Sequence, residues 1–344
     1  MSQQNRLTIL HNIEQILKKA GFSIASLSLN SNACFDLIAK RREQLIILKA
    51  EPCIDNFDRN KSYELKNIAS FLNASPVIIS DQFLNTTSSV IGDREKDFCE
   101  LEDGLVLLRY DIPVICTETF MELISKGVPP IVYRSSRGRY LVHINRKLLR
   151  QARLDKNLSY ADLAHLVGVS RRTIYEYEHS INPPPATAAK LEEVLDSPIA
   201  EGIRIFNIEI QQEENPKYSI DKMSSFKGDI SKILQDLGFL SQFWTKLSPF
   251  DAFGVHKSQD VHSGLNVLVC VEEDKNKQLI DRVSLTQSIA SLTRRRAIMI
   301  VEDDTEHPVT QSIPTFTIDE LNQMKRAFDL VKVWVKKHSA LKEN

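Results

Sequence analysis

Residues Leu158 to His179 read Leu-Ser-Tyr-Ala-Asp-Leu-Ala-His-Leu-Val-Gly-Val-Ser-Arg-Arg-Thr-Ile-Tyr-Glu-Tyr-Glu-His. Ser159 is placed to accept from an amide three residues on, and Asp162 to reach back, the reciprocal pattern that starts a helix. Leu163, Ala164 and Val167 recur at helical spacing and define an inner face. Ala164 is small, so a second helix can cross close. Gly168 supplies the positive φ of a tight turn. Val169 plugs the junction, Ser170 caps the second helix, and Ile174 anchors it inward. Arg171, Arg172, Thr173, Tyr175 and Glu176 are left facing outward near that helix's N-terminal end. The pattern predicts two short helices around a glycine turn, a helix-turn-helix.

The flanks extend this to a small all-α domain, residues 146–207. Lys147 to Asn157 reads as a preceding helix with Leu148, Leu149, Ala152 and Leu154 as its apolar residues. Pro183-Pro184-Pro185 ends the motif, and Ala186 to Leu195 reads as a closing helix with Ala189, Leu191, Val194 and Leu195. The matching pieces are Leu149 to Arg153, Leu163-Ala164, Gly168-Val169-Ser170, Thr173 to Glu178, and Lys190-Leu191 through Leu195. Through them, about 55 of the 344 residues resemble the Xre (Cro/CI repressor) helix-turn-helix family. The resemblance implies binding to double-stranded DNA. It places Ser159, Ser170, Arg171, Arg172, Thr173, Tyr175, Glu176, Lys147 and Arg150 at the DNA. It also implies a structural role for Arg153, Ala164, Gly168, Val169, Ile174 and Glu178, with Arg153 and Glu178 as a partly buried ion pair.

Charge distribution agrees. The whole chain carries a formal net charge of −1, which says nothing about nucleic acid. From Arg134 to His179, however, ten Lys and Arg face four Asp and Glu, a net +6. That is the footprint expected of a phosphate-contacting face. The length suggests two or three domains, and 42% apolar residues suffice for sizeable cores. Five cysteines, Cys34, Cys53, Cys99, Cys116 and Cys270, show no CxxC spacing and read as reduced thiols in a cytosol. No stretch reads as a signal peptide or a membrane span. The eight histidines are scattered, and neither a metal site nor a cofactor is expected.

The two ends of the chain look alike. Residues 45 to 81 and 266 to 302 align without a gap at an offset of 221. Leu45 to Glu51 faces Asn266 to Glu272, Ile68-Ala69-Ser70-Phe71 faces Ile289-Ala290-Ser291-Leu292, and Val77 to Asp81 faces Ile298 to Glu302. Upstream, Gly21-Phe22 recurs as Gly238-Phe239 and Phe35-Asp36 as Phe250-Asp251. The repeat is far longer than a solenoid period and reads as a duplicated domain, residues 1–127 and 226–344. In the first copy, Thr8 to Lys19 reads as a helix, followed by strands over Phe22 to Leu29, Ala33 to Ala39 and Gln44 to Ala50. A helix over Ser62 to Leu72 and a short strand over Val77 to Ser80 follow. The order α-β-β-β-α-β resembles the restriction-endonuclease and Holliday-junction-resolvase fold.

That resemblance invites a nuclease. Its members hold Mg²⁺ with an Asp on the second strand and an acid two residues before a Lys on the third. Asp36 stands in the Asp place and Lys49 in the Lys place, but Ile47 replaces the acid. In the second copy Asp251 remains, while Leu268 and Cys270 stand where acid and Lys belong. One carboxylate does not assemble a hard-oxygen metal site. The expectation is no enzyme, but nuclease-like scaffolds kept for dimerisation, ligand sensing or extra DNA contact. A metal-dependent nuclease or resolvase-like enzyme targeted by the helix-turn-helix, and a protein-interaction adaptor, are the alternatives.

Residues 128–145 read as a β-hairpin with a basic tip, either a wing on DNA phosphates or a structural connector. Residues 208–225 read as a linker, and residues 83 to 103 as a polar, mobile insertion. The layout from Phe35 to about residue 200 also resembles an archaeal family of Xre-type transcriptional regulators. The motifs are Phe35 to Ala39, Leu101-Glu102-Asp103-Gly104, Arg109-Tyr110, Ile112-Pro113, the hairpin and the helix-turn-helix. The whole predicts a cytoplasmic, sequence-specific DNA-binding regulator that acts as a homodimer, with no effector identified.

Overall fold

A run of apolar residues at helical spacing opens the chain: Ile9, Leu10, Ile13 and Leu17 form the buried face of a helix over Ser2–Lys19. It starts earlier than the periodicity alone predicts and ends at Gly21, whose φ of +79° stops the helix. The computed structural model describes residues 2–27, 33–84, 98–135, 138–207, 225–256, 265–272, 278–302 and 313–343. The chain is mixed α/β and sorts into two compact units that interleave along the sequence. One comprises Met1–Ala20, Ala50–Phe57 and Val77–Ile210; the other comprises Gly21–Lys49, Asp58–Pro76 and Gln211–Asn344.

In the first unit, the N-terminal helix packs on a short helix over Thr117–Met121. The strand Ser75–Ile79 runs parallel to Ile112–Ile115, with Ile78 beside Val114. Ile112–Ile115 returns antiparallel to Leu105–Arg109 through Tyr110 and Asp111, both at positive φ, the backbone a two-residue hairpin demands. Leu105 and Val106 then pair in parallel with Val132 and Tyr133. The hairpin Val132–Arg134 and Tyr140–Val142 therefore extends this sheet. Its far side is tied to the helical domain: Val142 N donates to Pro183 O, Asn145 N to Ile199 O and Glu201 N to His143 O. These bonds tie the base of the hairpin to the helical domain; Arg137, at its basic tip, lies outside the described residues. The ends of the polar insertion form a two-stranded ribbon, Gln82–Leu84 with Phe98–Glu100, and residues 85–97 lie outside the described residues.

In the second unit, Ser23–Ser26, Leu37–Arg41 and Gln44–Ala50 form an antiparallel meander that turns at Arg42 and Glu43. Asp36 stands just before the second strand, not within it. The helix Arg59–Leu72 is capped by Asp58, whose side chain accepts from Lys61 N. Its buried Leu65, Ile68, Ala69 and Leu72 follow the 3.6-residue period. The C-terminal part of this unit runs through the helix Ser225–Asp236, then the strands Phe239–Trp244, Ala252–His256 and Val267–Val271. The helix Gln278–Thr293 and the strands Arg296–Val301 and Thr315–Thr317 follow. The last three of these five strands are parallel neighbours. Ile230, Leu234, Phe239, Val269, Ile300, Phe316 and Leu330 fill its core, the last from the terminal helix Ala327–Glu343.

The same backbone bonds recur in both sequence-related stretches. Leu27 N donates to Asp36 O and Thr245 N to Asp251 O. Asp36 N donates to Leu48 O and Asp251 N to Val269 O. Asn73 and Arg294, 221 positions apart, both end their helices in the left-handed conformation. The linker expected over 208–225 lies outside the described residues except Ser225, which begins a helix. Among the described residues no helix is long and apolar enough to cross a membrane.

Candidate nucleic-acid interface

Local sequence builds the helix-turn-helix as its residues predict. Asn145 caps the helix Arg146–Asp155 by accepting from Leu148 N. Ser159 Oγ accepts from Asp162 N while Asp162 Oδ2 accepts from Ser159 N, a complete capping box ahead of the helix Tyr160–Val167. These bonds, the side-chain one first, hold the Asp162 carboxyl below its usual range. Gly168 follows at φ +82°, and Ser170 caps the helix Arg171–His179 by accepting from Thr173 N. Leu149, Leu163, Ile174 and Leu191 are fully buried at the centre. Leu148 and Leu154, expected on the apolar face, stand more than a third exposed.

Adding a Cβ at Gly168 meets no atom within 4 Å, so only backbone conformation resists a side chain there. Gly168→Ala is expected to destabilise the domain by about 1–2 kcal/mol, the cost of a left-handed L-residue. Gly228→Ala is the control: Gly228 lies inside a helix with equally open surroundings, and there alanine is expected to add roughly 0.5–1 kcal/mol. Urea unfolding checks both; equal midpoints would show that the turn does not depend on its glycine.

The helix Arg171–His179, the recognition helix of the motif, is fixed from behind by a buried charge cluster. Arg153 Nε donates to Glu178 Oε1 at 2.6 Å and Nη2 to Oε2 at 3.1 Å. Arg153 Nη1 donates to Leu158 O, and the Tyr160 hydroxyl donates to Glu178 Oε2 at 3.1 Å. The guanidinium lies 4.1 Å over the Tyr160 ring. Side-chain exposures of 6% and 0% make this pair almost wholly buried. The bond to Glu178 pushes the Arg153 guanidinium up, and burial followed by the Glu178 charge pushes the Tyr160 hydroxyl up. Tyr160 is a structural residue that the sequence pattern did not single out. Arg146 was likewise not singled out: its Nη2 ties the first helix to Ser180 O and Asn182 Oδ1 beyond the recognition helix.

Several of the predicted contact residues are open to solvent. Arg171, Arg172 and Tyr175 are exposed at the start and middle of the recognition helix. Arg172 Nε donates to Glu176 Oε1 at 2.8 Å. Tyr175 stacks on His179 at 4.1 Å and meets the edge of Tyr160 at 5.9 Å. Ser170 Oγ is also bonded to Thr173 Oγ1. Lys147 and Arg150 are exposed on the first helix, as is Ser159 at the cap of the second.

The nuclease-like positions have another character. Lys49 Nζ donates to Asp36 Oδ1 at 3.3 Å and to Ala33 O at 2.8 Å, and both side chains are 2% exposed. Ile47 is buried opposite Ile38. Glu64, not singled out from sequence, is fully buried; its two oxygens accept from Lys246 N and Leu247 N. The Cys34 thiol is pushed well up by burial and then by the Glu64 charge. In the C-terminal stretch, Asp251 accepts from Arg282 Nη2 at 2.6 Å and Val271 N at 2.8 Å, with Lys227 Nζ at 3.2 Å. Each aspartate is thus neutralised by cations or amides. Among the described residues no group of three or more His, Cys, Asp or Glu is placed to hold a metal. The donor set does not fit the Mg²⁺ site of an active nuclease.

Comparison with known proteins agrees with both parts. Residues 6–85 match the PD-(D/E)XK superfamily domain, and residues 149–201 match a helix-turn-helix family. The chain is 32% identical to an HTH-type transcriptional regulatory protein of Methanocaldococcus jannaschii, over 87% of this chain and 88% of the relative. It is 33% identical to a namesake of Methanococcus vannielii over 87% and 88%. It is 31% identical to one of Archaeoglobus fulgidus over 80% and 82%. No solved structure matches the chain. Fold and site thus define a helix-turn-helix protein that carries a PD-(D/E)XK-type domain. The chain belongs to the archaeal family of HTH-type transcriptional regulatory proteins.

Proposed function

We propose that this protein is a cytoplasmic, sequence-specific DNA-binding transcriptional regulator in which the nuclease-like fold has lost its chemistry. One observation carries the reading: a recognition helix locked from behind by Arg153, Glu178 and Tyr160 presents Arg171 and Arg172 to solvent at its N-terminal end. That end meets base edges when such a helix enters the major groove, while Lys147 and Arg150 neutralise phosphates. Gel shifts across a salt series test it. The logarithm of the binding constant should fall linearly with the logarithm of salt, by about 0.9 per phosphate neutralised. A salt-independent or undetectable shift would remove the proposal.

The enzyme alternative is tested separately. Asp36 is sealed against Lys49, and Ile47 supplies no oxygen. Purified protein with Mg²⁺ or Mn²⁺ should leave duplex and junction DNA intact. Cleavage that disappears in Asp36→Ala would restore the nuclease reading.

One chain carries one helix-turn-helix, and a lone recognition helix reads few base pairs. A homodimer with half-sites about one helical turn apart is the assembly that suits it. Light scattering should give a mass of two chains; a single-chain mass with a non-palindromic site would discard the dimer.

A further inference from the structure

We infer that the second unit holds an internal two-fold pairing: the parts of the first nuclease-like copy that belong to it, Gly21–Lys49 and Asp58–Pro76, pair face to face with the second copy, and the pairing covers the first copy's aspartate site. The inference rests on reading the C-terminal stretch as a second copy, which the repeated order of elements and the repeated backbone bonds support. In a two-fold interface, contacts come in reciprocal pairs, and equivalent elements meet each other on the axis. Both signatures are present. The second helix of copy one, Arg59–Leu72, reaches the second strand of copy two and the turn that precedes it. Phe71 stacks on Phe253 at 4.0 Å, and Glu64 accepts both amides at Lys246 and Leu247. Reciprocally, the equivalent helix of copy two, Gln278–Thr293, packs on Ser23–Ser26 and Leu37–Arg41, the first two strands of copy one.

The like-with-like contacts are also there. The turn before Asp36 meets the turn before Asp251, where Cys34 N donates to Leu247 O at 2.7 Å. The ends of the two equivalent helices meet where Arg295 Nη2 donates to Phe71 O at 2.7 Å, its guanidinium 4.6 Å over the Phe71 ring. The Lys246–Leu247 turn of copy two thus sits on Cys34 and Glu64, beside the Asp36–Lys49 pair of copy one. The partner for that face is the other half of the same chain. Any dimer of whole chains must then use a different surface.

The test uses the full-length protein. Glu64→Ala removes the acceptor for two amides, so hydrogen exchange at Lys246 and Leu247 should rise roughly tenfold or more. The particle mass by light scattering should stay at the wild-type value. Unchanged exchange would overturn the inference. So would a mass that falls as exchange rises, because that places the surface between chains. A second arm avoids any folding failure of that variant. A protease site introduced within residues 208–224 is cut after folding, and the pieces should co-elute with one N-terminal piece per C-terminal piece. Separation at micromolar concentration would overturn the pairing. Gel shifts of the uncut protein report on the DNA reader independently, so an absent shift with co-elution of the cut pieces intact counts against the regulator reading alone.

Discussion

Replacing Glu178 by alanine is expected to destabilise the helix-turn-helix domain by about 3–5 kcal/mol, the cost of stranding one partner of a buried ion pair. Glu178 receives three donors: two guanidinium nitrogens of Arg153 and the hydroxyl of Tyr160. Without it, a cation whose side chain is only 6% exposed faces no anion, and water cannot reach it to compensate. Glu176→Ala is the comparison. Its partner Arg172 is 86% exposed, and such a pair is worth about 0–1 kcal/mol. Glu178→Gln should fall between the two, because an amide keeps one acceptor but turns an NH₂ toward either guanidinium or hydroxyl. Urea or thermal unfolding of the three variants reads the order directly. Equal midpoints for Glu178→Ala and Glu176→Ala would refute the buried cluster as the domain's clamp.

Arg171→Ala and Arg172→Ala are each expected to lower discrimination between operator and random DNA by about 1–3 kcal/mol, or roughly 5- to 150-fold. A good bidentate Arg–guanine contact has that magnitude, and both residues stand at the helix end that enters the groove. The bond from Arg172 to Glu176 does not oppose this, because an exposed pair of that spacing contributes only about 0.3–0.5 kcal/mol. Lys147→Ala and Arg150→Ala should behave differently. They should weaken binding uniformly across sequences and reduce the salt slope by about one each. Selection from random duplexes followed by titration separates the two patterns. If both recognition-helix variants keep wild-type preference, the docking is wrong, while unfolding midpoints show whether the domain itself is intact.

Ile47 in the acidic position was enough to argue against chemistry from sequence. The structure adds Glu64, a carboxylate from a neighbouring helix that would have reopened the question. It is instead committed to two backbone amides of Lys246 and Leu247. What this carboxylate faces is set by the fold, which composition does not encode.

What the sequence determined by itself is the DNA reader. Its capping bonds span three residues, its turn hangs on one positive φ at Gly168, and its buried face repeats at helical spacing. Interactions that short are set by neighbouring residues, so the pattern of residue types is nearly the structure. The order of elements in the N-terminal copy was legible for the same reason, with boundaries shifted where helix ends run past the apolar period, at Ser2 and Arg59. Tertiary structure alone decided the rest. Glu64 meets amides 182 and 183 positions away, and Arg295 meets a carbonyl 224 positions away. The hairpin took its place only because Val132 found Leu105 and Val142 found Pro183. No local period encodes such partners; they follow from which apolar faces remain uncovered once each element has formed, and from the cost of leaving a buried charge or amide without a partner.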